Sequence, residues 1–179
     1  MSETNETAET IEAVEMWDIL EADGKKTGRF VRRGDELKEG EYHLVVHIWI
    51  KNSKGEYLIS KRSPNKDLGN LWECAGGSAI AGEDSLTAAL REAKEEVGIT
   101  LNIGKGEKIY SFKRESSLNN IVNVWLFRED FDISDVVLQE GETCDAKWVS
   151  QSEIFRMINS GEFIPLRHVR YIYDMFEKY

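Results

Sequence analysis

The sequence predicts an α/β domain preceded by a short β-hairpin. Three observations lead there. Leu44-Val45-Val46-His47-Ile48-Trp49-Ile50 is almost continuously apolar, as a central strand covered on both faces must be. Residues 84–97 place Leu86, Leu90, Ala93 and Val97 on one face at helical spacing. Further short strands follow that helix, and two helical stretches end the chain, all joined by short polar turns.

Residues 1–15 are acidic and poor in aromatics and read as a disordered tail, leaving 16–179 as one domain. Trp17 to Glu21 alternates, Asp23-Gly24 signals a turn, and Gly28 to Val31 returns as the second strand of the hairpin. After the central strand, Asn52 to Gly55 turns the chain into Tyr57–Arg62. A loop with Pro64 and Gly69 precedes Leu71–Ala75, which runs into Gly76-Gly77. The helix of 84–97 is capped by Asp84 or Ser85 and stopped by Gly98. Strands are expected near 107–113, 121–128 and 144–149, with a polar turn from Glu115 to Asn120 between the first two. Ser152–Ser160 and Leu166–Tyr179 read as two helices separated by Gly161 and Pro165.

The 179 residues carry a formal charge of −10, of which Glu3, Glu6, Glu9, Glu12 and Glu15 supply −5. That balance argues against a nucleic-acid polymer or an anionic membrane as partner. No run approaches the ~20 apolar residues of a membrane span, and the acidic start is no secretory signal, so a cytoplasmic protein is expected. Cys74 and Cys144 stand alone in strand-like segments, which predicts two buried or half-buried reduced thiols.

The chemistry is concentrated around the helix of 84–97. At 100° per residue, Glu92, Glu95 and Glu96 lie close together, away from the apolar stripe and facing solvent. Carboxylates so grouped repel one another, and hard oxygen donors at this density suit Mg²⁺ or Mn²⁺. Gly76-Gly77 lets the backbone approach a ligand and offers a carbonyl oxygen. Glu83 and Arg91, eight residues apart, can pair to tie the preceding loop to the helix.

The spacing from Gly77 through Glu83, Arg91, Glu92, Glu95 and Glu96 to Gly98 and Ile99 resembles the Nudix box. The one departure is Ala93 at a position usually held by a larger aliphatic; it points inward and bears on packing. The resemblance implies a Nudix-type α/β/α sandwich with a mixed β-sheet over roughly 40–150. It implies metal-dependent hydrolysis of a nucleoside diphosphate linked to another group, with a small-molecule diphosphate as partner and Mg²⁺ or Mn²⁺ as cofactor. By that likeness Glu95 and Glu96 are the central metal ligands, Glu92 is a ligand or the base that orients water, and the Gly77 carbonyl completes the set. Arg91 and Glu83 hold the loop against the helix. Homodimers are frequent in the family.

Outside the box, Glu142 is a candidate ligand or base and Glu140 a weaker one, while Lys61 and Arg62 are candidates for a substrate phosphate. Trp72, Phe112 and Trp125 are expected in the core rather than against a base, and His43, His47 and His168 are expected to be structural. The region before the box also resembles the isopentenyl-diphosphate isomerase-like branch: His43 precedes Trp49 by six residues, and Lys61-Arg62 follows the Asn52–Gly55 turn. Cys74 lies too early for that branch's catalytic cysteine, and Glu36 stands where a histidine is expected. Isomerisation and a non-catalytic nucleotide-binding domain are therefore the alternatives to hydrolysis.

Overall fold

The computed structural model describes residues 14–115 and 119–179, apart from the side chains of Leu166 and Arg167. Most of the expected acidic tail and the middle of the Glu115–Asn120 turn lie outside these residues. Glu15, the last residue of that tail, takes an ion pair from Arg33 at 2.7 Å and a hydrogen bond from the Trp17 indole at 3.0 Å.

The hairpin consists of β1 (Met16–Leu20) and β2 (Lys26–Arg32), paired antiparallel. The main sheet contains β3 (His43–Lys51), β4 (Tyr57–Arg62), β5 (Trp72–Glu73), β6 (Ala75–Ser78), β7 (Gly106–Arg114), β8 (Asn120–Arg128) and β9 (Thr143–Val149). Along the sheet the order is β5-β4-β3-β8-β7, with β6 added to β3 and β9 to β4. β3 and β8 are parallel over their whole length, from His43 opposite Asn120 to Lys51 opposite Arg128; the other pairings are antiparallel. The sheet is mixed, as expected.

The helices are α1 (Ser85–Val97), α2 (Gln151–Ser160), α3 (Leu166–Val169) and α4 (Ile172–Lys178). α1 starts where the Asp84 carboxylate accepts the Thr87 N–H at 2.8 Å, and it stops at Gly98 with φ 73°. A side chain at Gly98 would be strained and would strike Val137. α1 covers one sheet face, burying Ala88, Ala89, Ala93 and Val97 against Val46, Ile48 and Ile50. α2 and α4 cover the other with Ile154, Met157, Ile172 and Phe176 against Trp49, Tyr57 and Ile59. This is the α/β/α arrangement. Among the described residues no helix is long and apolar enough to cross a membrane.

Two expectations are corrected. Leu71–Ala75 is not one strand: the ladder breaks at Cys74, with β5 pairing to β4 and β6 to β3. Leu166–Tyr179 is not one helix, because it is interrupted at Arg170 and Tyr171. The Tyr171 hydroxyl is needed in the core, where it accepts the Trp49 indole N–H at 2.9 Å and bonds His47 Nδ1 at 2.8 Å.

Candidate active site

Four segments pack along α1, from its first residue to its last turn. They are the glycine strand β6, the loop 79–84, the loop 137–143 and the first residues after β4. Gly76 lies so close to β3 that a side chain would enter the Val46 carbonyl, and a side chain on Gly77 would occupy the place of the Glu92 carboxylate. Gly76 is thus required for close approach to a neighbouring strand, and Gly77 leaves the room that the acid occupies.

Arg91 is the hub of the loop side. Its Nε and Nη2 donate to the two oxygens of Glu83 at 2.8 and 3.0 Å, and Nη2 also donates to the Ser78 carbonyl at 3.0 Å. Its Nη1 donates to Glu92 at 3.0 Å and to Glu95 at 2.8 Å. A fork of this kind fixes direction as well as charge. The loop is held from its far side by the hairpin. Asp18 Oδ2 accepts the Gly82 N–H at 2.8 Å and pairs with Lys26 at 2.8 Å, while Lys26 donates to the Glu83 carbonyl at 2.9 Å.

Glu96 departs from the sequence reading. It is 8% exposed rather than solvent-facing, and its Oε2 accepts the Gly76 N–H at 2.9 Å. The alanine stripe of α1 seats the helix close to β6, and the loop 137–143 closes over its last turn. The Glu96 carbonyl there accepts from Gln139 N at 3.2 Å and Thr143 Oγ1 at 3.0 Å. Burial pushes the Glu96 carboxyl up to about 8, with Glu73 and Glu92 adding to the rise and the Gly76 N–H and Lys66 opposing it.

Glu73 is the residue that the sequence reading missed. It is half-buried, and burial raises its carboxyl while Arg62 opposes the rise. Arg62 Nη1 donates to both of its oxygens at 2.8 and 3.0 Å. The signal was a lone acid inside the apolar run Leu71-Trp72-Glu73-Cys74-Ala75. Burial likewise raises the Glu92 carboxyl, against the pull of Arg91.

The remaining candidates divide. Glu142 lies in the loop 137–143, but its carboxylate pairs with Lys66; Glu140 is exposed. Arg62 is engaged by Glu73 and the Asp67 carbonyl. Lys61 lies 5.8 Å from the Trp72 ring centre, with Lys147 at 4.3 Å from the same ring. Trp72 is buried, Phe112 and Trp125 are half-buried, and all three are packed with other core residues. His47 is neutral, held down to about 3 by burial, with Arg114 and His168 adding to the drop. Cys74 is buried, and burial raises its thiol above the ordinary range. Cys144 is exposed, contrary to expectation. β9 pairs only with β4, and this stretch of it turns Cys144 and Asp145 outward.

Among the described residues, no three His, Cys, Asp or Glu side chains are gathered closely enough to hold a metal as they stand. Arg91 draws Glu92 and Glu95 to itself, Glu96 turns to Gly76, and Glu142 turns to Lys66. The donor chemistry nevertheless fits a hard divalent cation. Buried Glu96 and half-buried Glu73 and Glu92 are all-oxygen donors, and both neighbours destabilise the charge on Glu96.

Residues 41–168 match the family model of the NUDIX domain. An uncharacterised Nudix hydrolase of Listeria monocytogenes is 37% identical over 164 residues, covering 90% of this chain and 95% of that protein. An isopentenyl-diphosphate Delta-isomerase of Shigella dysenteriae is 26% identical over 151 residues, 79% of this chain and 80% of its own. The crystal structure of DR0079 from Deinococcus radiodurans superposes with a TM-score of 0.72. It has 23% identity and covers 89% of this chain and 98% of that one, which is a likeness of fold.

Proposed function

The chain belongs to the Nudix family, whose members include pyrophosphohydrolases, and on that premise we propose that it hydrolyses a nucleoside diphosphate linked to another group. The observation that carries this reading is Arg91, which binds the loop through Glu83 and Ser78 while gathering Glu92 and Glu95 beside buried Glu96. An arrangement kept for binding alone does not need that density of acid.

In this reading Glu92, Glu95 and Glu96, with the Gly77 carbonyl, hold Mg²⁺ or Mn²⁺. Bound there, such a cation would polarise a phosphoryl oxygen and acidify water. Glu92 accepts a hydrogen bond from the attacking water and so orients it. Glu83 and Arg91 keep the loop carbonyls and the helix carboxylates in one frame, without touching substrate. Arg62 holds Glu73 in place and reaches a phosphate only by loosening that pair, whereas Lys61 is free of carboxylate partners among the described residues. The buried, protonated Cys74 thiol is unsuited to the part a cysteine plays in the isomerase alternative.

The test is a panel of diphosphate compounds, isopentenyl diphosphate included, incubated with Mg²⁺ and with EDTA. Products are followed by chromatography and phosphate release. Metal-dependent cleavage of a nucleoside diphosphate derivative, lost in Glu96→Gln, is the expected result. Cleavage that persists in EDTA, or isomerisation of isopentenyl diphosphate, would overturn the proposal.

A further inference from the structure

On the α1 side of the sheet, lined by neither Glu92 nor Glu96, a cavity of about 580 Å³ opens between the hairpin, the start of α1 and the β7–β8 ladder. That is a size at which small-molecule sites are found. Its floor is made of cross-strand pairs. Ile121 lies opposite Lys113, and Asn123 lies opposite Ser111. Leu20 and Leu44 add apolar wall.

Asn123 carries an unpaired atom in this floor. It is the only polar residue between Ile121 and Phe127, it is 9% exposed, and its buried Oδ1 has no hydrogen-bond partner. A buried acceptor without a partner is destabilising. The charge around it is also unbalanced. Each acid on the cavity wall is already engaged: Asp23 by Lys25 at 2.6 Å, Asp84 by the Thr87 N–H, and Glu83 by Arg91. Lys26 is held by Asp18. Among the described residues, Lys108 and Lys113 have no carboxylate partner, although the chain carries −10; Lys113 meets only the Tyr42 ring.

We propose that this cavity binds a heteroaromatic anion of mononucleotide size. Its polar ring edge lies on the Asn123 amide, and its anionic group lies at Lys108 and Lys113. A side-chain amide offers a donor and an acceptor in one plane, which an amino group beside a ring nitrogen matches in both places. The flat ring covers Leu20, Leu44 and Ile121, and the two ammonium groups meet the phosphate. A lone water would satisfy Oδ1 but would leave the lysine pair unanswered.

Adenosine monophosphate is a suitable probe, since it has no phosphoanhydride for a pyrophosphohydrolase to cleave. It is titrated calorimetrically into the full-length protein in EDTA, and since a nucleoside monophosphate is also a product of the proposed hydrolysis, the cavity variants and not binding alone decide the outcome. Saturable one-to-one binding is expected. It should weaken at least about tenfold, or 1.4 kcal/mol, in Lys108→Glu/Lys113→Glu and in Asn123→Leu, and persist in Glu92→Gln. Absence of saturable binding in the millimolar range, binding that survives the charge reversal, or binding abolished by Glu92→Gln alone would each overturn the proposal.

Discussion

On one face of β3, Val46, Ile48 and Ile50 meet a helix whose contact stripe is Ala88, Ala89, Ala93 and Val97. On the other face, Trp49 packs with Tyr57, Phe163 and Phe176, and its indole bonds Tyr171. The alanine face has little area to bury, but it lets the α1 backbone settle close enough for Glu96 to reach the Gly76 N–H. The aromatic face carries far more apolar surface and holds none of the box carboxylates. One face therefore sets positions and the other supplies stability, and substitutions should separate the two properties.

The largest effect is expected on the aromatic face. Trp49→Ala should cost about 3–5 kcal/mol of unfolding free energy in urea titrations, while activity per folded molecule stays close to normal below the transition. If activity fell in proportion before unfolding, the division of labour would fail. Arg91→Lys should do the reverse. It keeps the charge but loses the fork, so turnover or metal affinity should drop about 10–100-fold with the melting temperature almost unchanged.

His47 tests the aromatic face by pH. Burial holds it neutral down to about 3, against an ordinary value of 6.5. Its folded-state value is depressed, so the unfolded chain takes up the proton first. The associated stability is complete above 6.5 and is lost as pH falls from 6.5 toward 3. Wild-type stability relative to His47→Gln should therefore shrink by about 1.5 kcal/mol between pH 6.5 and pH 5. A difference that stays constant over that range would remove His47 as the cause. Cys74→Ser should have the smallest effect, about 1 kcal/mol on stability with turnover unchanged. A large loss of turnover without unfolding would return the thiol to the chemistry.

Much of this division was legible in the chain. The apolar run of β3 and the 100° spacing of α1 placed the central strand, the box helix and its acids, and the pairing of Glu83 with Arg91 followed from their separation. What periodicity cannot show is how far a helix sinks. The burial of Glu96 arises from the loop 137–143 and from β6, which belong to distant parts of the sequence. The interruption at Arg170 and Tyr171 is equally invisible to periodicity, since both residues keep right-handed helical backbone angles. Glu73 escaped notice because a single acid in a short strand has no pattern until Arg62 and Glu96 stand beside it.

The parallel pairing of β3 with β8 also bears on the order of assembly. Its partners, from His43 opposite Asn120 onward, are 77 residues apart in the chain. A pairing so distant forms slowly, because a long loop must close before any contact rewards it. During synthesis the whole box emerges before β8 does. Until β8 arrives, β3 has an open edge along a very apolar strand, the kind of surface that invites intermolecular pairing. Refolding yield should therefore depend steeply on protein concentration, even where the finished fold is stable.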